Sequence, residues 1–431
     1  MSTTITIIGT AILSLLLAGY LAQQYLPPPK PKIVGIDLGT TYSCIGVYQA
    51  VTGDVKVLVD SANHKTVPSM VAFTGSDVLV GYDALEQAER NPISTIYDAK
   101  RFIGKIFTPS EVAREAARYQ FKIKEHNGLI RFVVGSNDNL TEVTPEYVGS
   151  RILLELRQTA QETLESPVTM AVMSVPAEFN ELQRNYTKLA AKLAGIDVLR
   201  VINEPTAAAL AYGLHKKDGV SNVLVVDLGG GTLDVSLLSV QGGMFVTMAM
   251  AGNNRLGGQD FNQRVMAHFL KLIEKKFNKM LNNPEDLQKL RLLVEEAKLN
   301  LTSGISSWID INLQSLGKDA VFRDNFTRET FEELNSDLFL KVLQPIQVVL
   351  QEAEMPTKEV DEIVLVGGST RIPKVRQLIR NYFGKDPNVA IDPELAVAYG
   401  VAIQAGIIGG LWPLQVSAIE IQRHIKKIHV T

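Results

Sequence analysis

A single cysteine, Cys44, stands among 431 residues. An intramolecular disulfide is therefore excluded, and cysteine usage says nothing about redox compartment. Cys44 lies in a strand-like run and reads as a small buried apolar residue. No long run of Lys or Arg is present and the formal charge is −3, so nothing favours nucleic acid as a partner. No segment reads G-x-x-x-x-G-K-[ST], which removes a Walker A loop. Nor does a G-x-G-x-x-G open a helix after the first strand, so a dinucleotide fold is disfavoured. The final His429-Val430-Thr431 is not a KDEL-type retention signal. What remains is an ordinary globular composition, 46% hydrophobic, long enough for two lobes with buried cores.

The first 22 residues differ from the rest. Ile5 to Ala22 is eighteen residues without a charge, rich in Ile and Leu. As a helix such a run spans roughly 27 Å, near the thickness of a bilayer core. It reads as a cleaved signal peptide, with small residues from Ala18 to Ala22 near a cleavage site, or as an uncleaved anchor. Either way the chain enters the secretory membrane system, and membrane contact is confined to residues 5–22. Residues 23–32, with Pro27-Pro28-Pro29-Lys30-Pro31, form a stiff spacer. N-x-[ST] sequons begin at Asn139, Asn185, Asn300 and Asn325. In a luminal protein some can carry glycans, although Asn185 and Asn300 fall in helical patterns.

Chemistry appears where β-branched runs end in Asp-Leu-Gly. VGIDLGTTYSCIGVY at 34–48 and VVDLGGGTLDVSLL at 225–238 share one form. Each is a strand, a short Gly/Thr turn and a second alternating strand, a hairpin whose turn can wrap a phosphate chain. Gly39, Gly229, Gly230 and Gly231 have no Cβ, so their N–H groups can approach an anion closely and the backbone can take φ > 0. Thr40, Thr41 and Thr232 add hydroxyls. Asp37 and Asp227 sit where strands end, placed to hold a hydrated Mg²⁺. Two such hairpins predict two similar lobes gripping one nucleotide. A third turn follows the short strand Ile363 to Val366 and reads Gly367-Gly368-Ser369-Thr370-Arg371-Ile372-Pro373. Its flat Gly-Gly backbone can lie against a base or ribose, and Arg371 offers a planar guanidinium to stack or pair.

Strands through Val47 and around Val55 to Val59 open the chain, followed by a less regular insertion from Val67 to about Val143. A helix is expected from Thr144-Pro145-Glu146 to about Leu164, with Pro in its first turn. Strand Val168 to Val175 and helix Leu182 to Ala194 follow, the latter stopped by Gly195. Later come strand Val223 to Asp227 and helices Gln259 to Asn278, Pro284 to Leu301 and Arg328 to Ala353. This alternation predicts a layered α/β fold around a central cleft.

With these segments in view, the chain resembles the nucleotide-binding domain of the seventy-kilodalton heat-shock chaperone family, within the actin and sugar-kinase superfamily. The resemblance runs from Ile33 to about Gly409. It is carried by IDLGTTYS (36–43), YDAKRFIG (97–104), SVPAEF (174–179), RVINEPTAAALAYGL (200–214), DLGGGTLDVS (227–236), GGQDFNQR (257–264) and VGGSTRIP (366–373). It implies an actin-like α/β ATPase fold, with two lobes of duplicated ribonuclease-H-like subdomains around a nucleotide cleft. Lobe I is expected at 33–216, lobe II at 217–410 and a short tail at 411–431. The hydrophobic N-terminus, and the lack of a recognisable peptide-binding domain or acidic, leucine-rich linker after residue 410, are most like truncated, microsome-associated members.

The resemblance also implies site residues. Asp37, Asp227 and Glu204 form an acidic set for Mg²⁺, with K⁺ as a further counter-ion. Lys100 positions the attacking water, and Thr232 and Asp234 orient that water and help its deprotonation. ATP or ADP is contacted by Gly39, Thr40, Thr41, Tyr42, Gly229, Gly230, Gly231, Gly367, Gly368, Ser369, Arg371 and Glu394. Glu295, Lys298 and Thr302 line the adenosine pocket along one helical face. Arg184 and Pro176 match an allosteric relay, and Arg200 and Asn203 a surface read by J-domain partners.

Two departures matter. Leu299 stands where the family has an arginine stacked on adenine, losing a cation–π term of roughly 0.5–2 kcal/mol. Gln259 replaces a glutamate near the lobe interface, removing one possible cross-cleft ion pair. The expected function is a slow, chaperone-like ATPase of the endoplasmic reticulum lumen or microsomes, a monomer with exchange factors or other chaperones as partners. A non-catalytic nucleotide-binding adaptor is the alternative, and a small-molecule kinase of the same superfamily a more distant one.

Overall fold

The computed structural model describes residues 11–18, 33–75, 77–136, 139–214, 217, 219–242, 244–410, 419–421 and 426–430. Of the hydrophobic segment 5–22, residues 11–18 are helical, with Leu15 73% exposed. The spacer 23–32 lies outside the described residues. Among the described residues no helix is long and apolar enough to cross a membrane.

The first sheet begins with β1 (Ile33–Asp37), β2 (Tyr42–Gln49) and β3 (Asp54–Val57). After the insertion, α1 (Pro145–Leu164) starts where the Thr144 hydroxyl accepts from the Tyr147 N–H and Pro145 fills the first turn. β4 (Met170–Val175), α2 (Glu181–Leu193) and β5 (Asp197–Asn203) follow. Asn180 and Gln183 close a reciprocal capping box at the start of α2, and Gly195, at φ 73°, ends it. The strand order is β5-β4-β1-β2-β3. β4 runs parallel to β1, so Val175 and Asp37 finish at the same end of the sheet.

A second sheet repeats this plan. α3 (Glu204–Ala211) leads to β6 (Asn222–Leu228), β7 (Leu233–Gln241) and β8 (Met244–Asn253). α4 (Gly258–Phe277), α5 (Pro284–Ser303), β9 (Glu362–Val366) and α6 (Ala396–Ile408) complete the body. Two short tail strands, β10 (Ile419–Ile421) and β11 (Ile428–His429), both add parallel to β8. The order is β9-β6-β7-β8-β10, with β11 on the same edge of β8. β6 and β7 pair antiparallel and β6 and β9 parallel, matching β1, β2 and β4 in the first sheet.

Between the sheets lie α3 and α6, almost wholly apolar. Ala207, Ala208, Val401 and Ala405 share one buried cluster with Val223, Val225 and Val364. Burying each such side chain contributes roughly 1.5–3 kcal/mol for the larger ones. The helices touch closely enough to need glycine: a Cβ on Gly400 would sit 1.8 Å from the Ala207 carbonyl oxygen. On Gly35 it would sit 2.2 Å from the Ala402 nitrogen. Thus α6, near the end of the segment 217–410, packs on β1 and β2 of the first sheet, a return that a division at residue 216 does not represent.

Two expectations change. The insertion is not irregular throughout: Lys122–His126, Leu129–Ser136 and Asn139–Val143 make a three-stranded sheet, and Val71–Phe73 pairs with Val78–Val80 and Thr95–Ile96. The single helix expected over Arg328 to Ala353 is three: Arg328–Leu334, Ser336–Lys341 and Leu343–Glu352. Buried Asn335 breaks the first, at φ −111° and ψ 11°, its amide donating back to the Phe331 carbonyl. Pro345 brings no N–H to meet the Lys341 carbonyl at the second break.

Candidate functional site

The ends of β1 and β6 face each other across a cavity of about 120 Å³. Its walls carry Asp37, Gly39, Thr40, Thr41, Tyr42, Lys100, Glu204, Asp227, Gly229, Gly230, Gly231, Thr232, Gly367, Gly368 and Glu394. Residues from both hairpins, the third Gly-rich turn and the start of α3 are thereby brought together. A second cavity of about 380 Å³ shares Thr40, Lys100, Pro176 and Thr232 and continues past Arg101, Glu178 and His429.

Glycine is needed here for proximity, not handedness. None of Gly39, Gly229, Gly230 and Gly231 uses the positive φ open to it, whereas Gly367 does, at 83°. A Cβ on Gly39 would lie 2.0 Å from the Tyr42 carbonyl oxygen, and on Gly230 1.9 Å from Thr41 Oγ1. On Gly229 it would meet nothing within 4 Å, because that residue faces the cavity. The N–H groups of Gly258 and Gln259, at the start of α4, donate to the Gly229 and Gly230 carbonyls at 3.0 and 2.8 Å. Those bonds fix the backbone of the second turn.

Charge is concentrated and only partly balanced. Lys100 Nζ donates to Glu204 Oε1 at 2.6 Å. Burial alone would lower the Lys100 pKa, but Glu204 and Asp37 outweigh it and hold the ammonium above its ordinary value. Burial raises Asp37, with Lys100 and the Ser174 hydroxyl, 2.8 Å away, pulling back. Glu204 is pushed up to about 7 by burial, with Lys100 opposing and Asp37 adding. Asp227 is raised well above its ordinary range by burial and by the carboxylates of Glu204, Asp234 and Asp37, with Lys100 opposing. Three buried acidic groups around one ammonium resist being ionised together, and a cation placed among them would relieve that cost. Among the described residues no three acidic, His or Cys groups converge to ligate an ion directly. Thr41 Oγ1 is buried there with no partner, a hydroxyl left over for a ligand.

Asp234 is not in the wall of the smaller cavity but faces Asp227 across the β6–β7 ladder, and the Thr232 hydroxyl donates to its Oδ2 at 2.9 Å. Lys298 Nζ pairs with Glu295 at 2.8 Å, and Asn262 also donates to Glu295. Lys298 and Ser369 converge at Gly258, where a Cβ would be 2.9 Å from Lys298 Nζ and 2.7 Å from Ser369 Oγ. Glu295, Lys298, Thr302, Ser369 and Arg371, all expected contacts, stand apart from these walls. The Thr302 hydroxyl donates to the Leu299 carbonyl at 2.8 Å, and Arg371 pairs with Asp392 and with Glu394. Arg184 donates to Asn203 Oδ1 at 2.7 Å, and Cys44 is buried as expected.

Sequence reasoning missed several contributors. Arg101, in the short helical turn Ala99–Arg101, donates to the Gly231 carbonyl of the second Gly-rich turn. A cross-cleft ion pair lies one residue on from Gln259, where Arg118 meets Asp260 at 2.9 Å. The Arg291 guanidinium lies over the Tyr97 ring, 4.2 Å from its centre. Both contacts cross between segments of the first and second halves. The quoted motifs YDAKRFIG and GGQDFNQR contained Tyr97, Arg101 and Asp260, and only their pairing was hidden. Lys427 reaches Asp234, and no motif marked it.

A family model described as Hsp70 protein matches residues 33–422. Heat shock 70 kDa protein 13 of Mus musculus is 54% identical, with 98% of each chain covered. The Homo sapiens protein of that name is 53% identical, with 99% of each covered.

Proposed function

The chain belongs to the Hsp70 family and carries its actin-like nucleotide-binding fold, and from that premise we propose that it binds Mg-ATP between the two sheets and hydrolyses it slowly to ADP and phosphate. The observation that carries this reading is the Lys100–Glu204 pair at 2.6 Å, set among Asp37 and Asp227 in the same cavity wall. Asp37, Asp227 and Glu204 would hold Mg²⁺ through its waters, with K⁺ neutralising the remaining charge; when bound, the metal offsets phosphate charge. Gly230 and Gly231 present backbone N–H groups to the phosphate chain, while those of Gly39 and Gly229 donate to Ser43 Oγ and the Thr232 carbonyl and hold the turns in shape. Lys100, kept charged by Glu204 and Asp37, supplies the cation that places a water near the terminal phosphate. Thr232 and Asp234 orient that water and accept its proton. Lys298 and Glu295 hold the nucleoside side.

Single-turnover hydrolysis of radiolabelled ATP tests it. Lys100→Ala should lower the rate by about 10²- to 10³-fold, the cost of removing one preorganised donor, with ATP binding retained. Equal, negligible hydrolysis in both proteins would leave the nucleotide-dependent adaptor instead. One observation favours that second reading: Leu299 is 45% exposed on the adenosine-side helix and gives no cation to stack on a base.

The exposed apolar helix at 11–18, within the uncharged run 5–22, supports membrane entry and hence the endoplasmic reticulum or microsomes. Protease protection of the full chain in intact microsomes is the expected result. Partners that read the nucleotide state, such as exchange factors and other chaperones, complete the proposal.

A further inference from the structure

The edge of the second sheet brings part of the tail into the cleft. β11 pairs with β8 at Ala251 and Gly252, and the Val430 N–H donates to the Gly252 carbonyl at 2.9 Å. One residue earlier, the Lys427 side chain is only 3% exposed. Its Nζ lies 2.6 Å from Asp234 Oδ1, 2.8 Å from Asn254 Oδ1 and 2.9 Å from Glu178 Oε2. The passage for this side chain depends on Gly252, where a Cβ would sit 2.4 Å from Lys427 Cε. Burial alone would lower the Lys427 pKa, but Asp234 and Glu178 outweigh it and keep the ammonium charged.

Three donors meet three acceptors. An ammonium has three N–H bonds, and Asp234, Asn254 and Glu178 account for all of them, so Lys427 has none left for a phosphate. Its influence must pass through its partners. Asp234 then has both oxygens engaged, Oδ1 by Lys427 and Oδ2 by the Thr232 hydroxyl. An oxygen already holding an ammonium N–H is not open to a water beside it. The same ammonium also ties Glu178, from the loop after β4, to Asp234 of the second sheet and to Asn254 just past β8.

We propose that Lys427 is a positioning residue of the hydrolytic site, which in the docked tail occupies Asp234 and restrains ATP hydrolysis. The proposal rests on the ATPase reading above. Release of the tail frees Asp234 Oδ1 and unties Glu178 from the second sheet.

The test is single-turnover ATP hydrolysis by the full chain with Mg²⁺ and K⁺, with ATP affinity measured separately. Lys427→Met removes the ammonium. Val430→Pro removes the N–H that docks β11 while leaving Lys427 intact, so it carries the test if the first variant folds poorly. Both should raise the rate about tenfold with ATP affinity unchanged. That is below the ~10²- to 10⁴-fold that positioned proton transfer supplies in full, because only one oxygen of Asp234 is taken. A merely structural clasp would change melting temperature and affinity, not the chemical step alone. Rates equal to or below wild type in both variants, with hydrolysis lost in Lys100→Ala, overturn this inference and leave the function standing. ATP binding without hydrolysis in every chain overturns both.

Discussion

The two hairpins that grip the cavity share a plan and differ in what opposes each aspartate. In the first, Asp37 pairs across the ladder with Cys44, a buried thiol, and accepts from Ser174 on the parallel neighbour. In the second, Asp227 pairs with Asp234, a second carboxylate. The turns differ too. Gly39 is confined by its own turn, through the Tyr42 carbonyl, whereas Gly230 is confined across the cleft by the Thr41 side chain and Gly229 by nothing. The first hairpin is thus specified mainly by its own lobe. The second is specified by what lies opposite, including whatever fills the cavity.

Alanine at the turns should break the equivalence with the largest effect. Gly39→Ala forces a backbone to move and should cost about 2–3 kcal/mol of stability without nucleotide. Gly230→Ala should cost less, since Thr41 can rotate away. Gly229→Ala should leave the melting temperature of the nucleotide-free protein unchanged and weaken ATP binding, because its methyl projects where a phosphate approaches. Thermal melting with and without Mg-ATP separates the three. A Gly229→Ala protein that binds ATP as well as wild type would remove the phosphate role of that turn.

The aspartates sharpen the comparison at smaller scale. Asp227 carries the greater like-charge burden, from Glu204, Asp234 and Asp37. Asp227→Asn should therefore stabilise the nucleotide-free chain, on the order of 1 kcal/mol. Asp37→Asn relieves less repulsion and weakens a bond to Ser174, so its gain should be smaller or reversed. Both should lose the extra stability conferred by Mg-ATP over ATP in chelator. Urea unfolding at constant pH measures the first effect, and melting in the two nucleotide conditions the second.

How much of this was legible depends on sequence distance. The Asp-Leu-Gly hairpins are local, so strand, turn and carboxylate could be read together, and the hairpin of Asp37 could be matched to that of Asp227. Lys100 was legible only through its family motif, because a lysine beside a short helical turn has no local signature. Ser174 reaches Asp37 across 137 positions, through a parallel strand pair that periodicity cannot reveal. The break at Asn335 was lost for a different reason. The apolar pattern of 328–353 continues through it, and only a side-chain bond to the Phe331 carbonyl interrupts the helix. Lys427 was least legible of all, since its burial depends on an edge of β8 that a basic tail does not advertise.

The last contrast sets the cleft carboxylates against Glu295 on the nucleoside side, and it carries the smallest expected effect. Burial would raise Glu295, but Lys298, Asn262 and Arg291 outweigh it and lower its pKa below the ordinary 4.5. A carboxyl depressed in the folded state adds stability that is fully present above its unfolded pKa. That stability is lost as pH falls through the folded value. Asp37, Glu204 and Asp227 have raised values, so their charged forms cost stability in the folded state and acid relieves them. The two groups therefore tilt the acid limb in opposite directions. Glu295→Gln should remove the loss contributed below pH 4.5 and flatten that limb by less than ~1 kcal/mol, since Glu295 is partly exposed and screened. Urea midpoints from neutral pH down past that value check it. An unchanged acid limb in the variant would mean that Lys298 holds Glu295 no more tightly in the folded protein than water does in the unfolded chain.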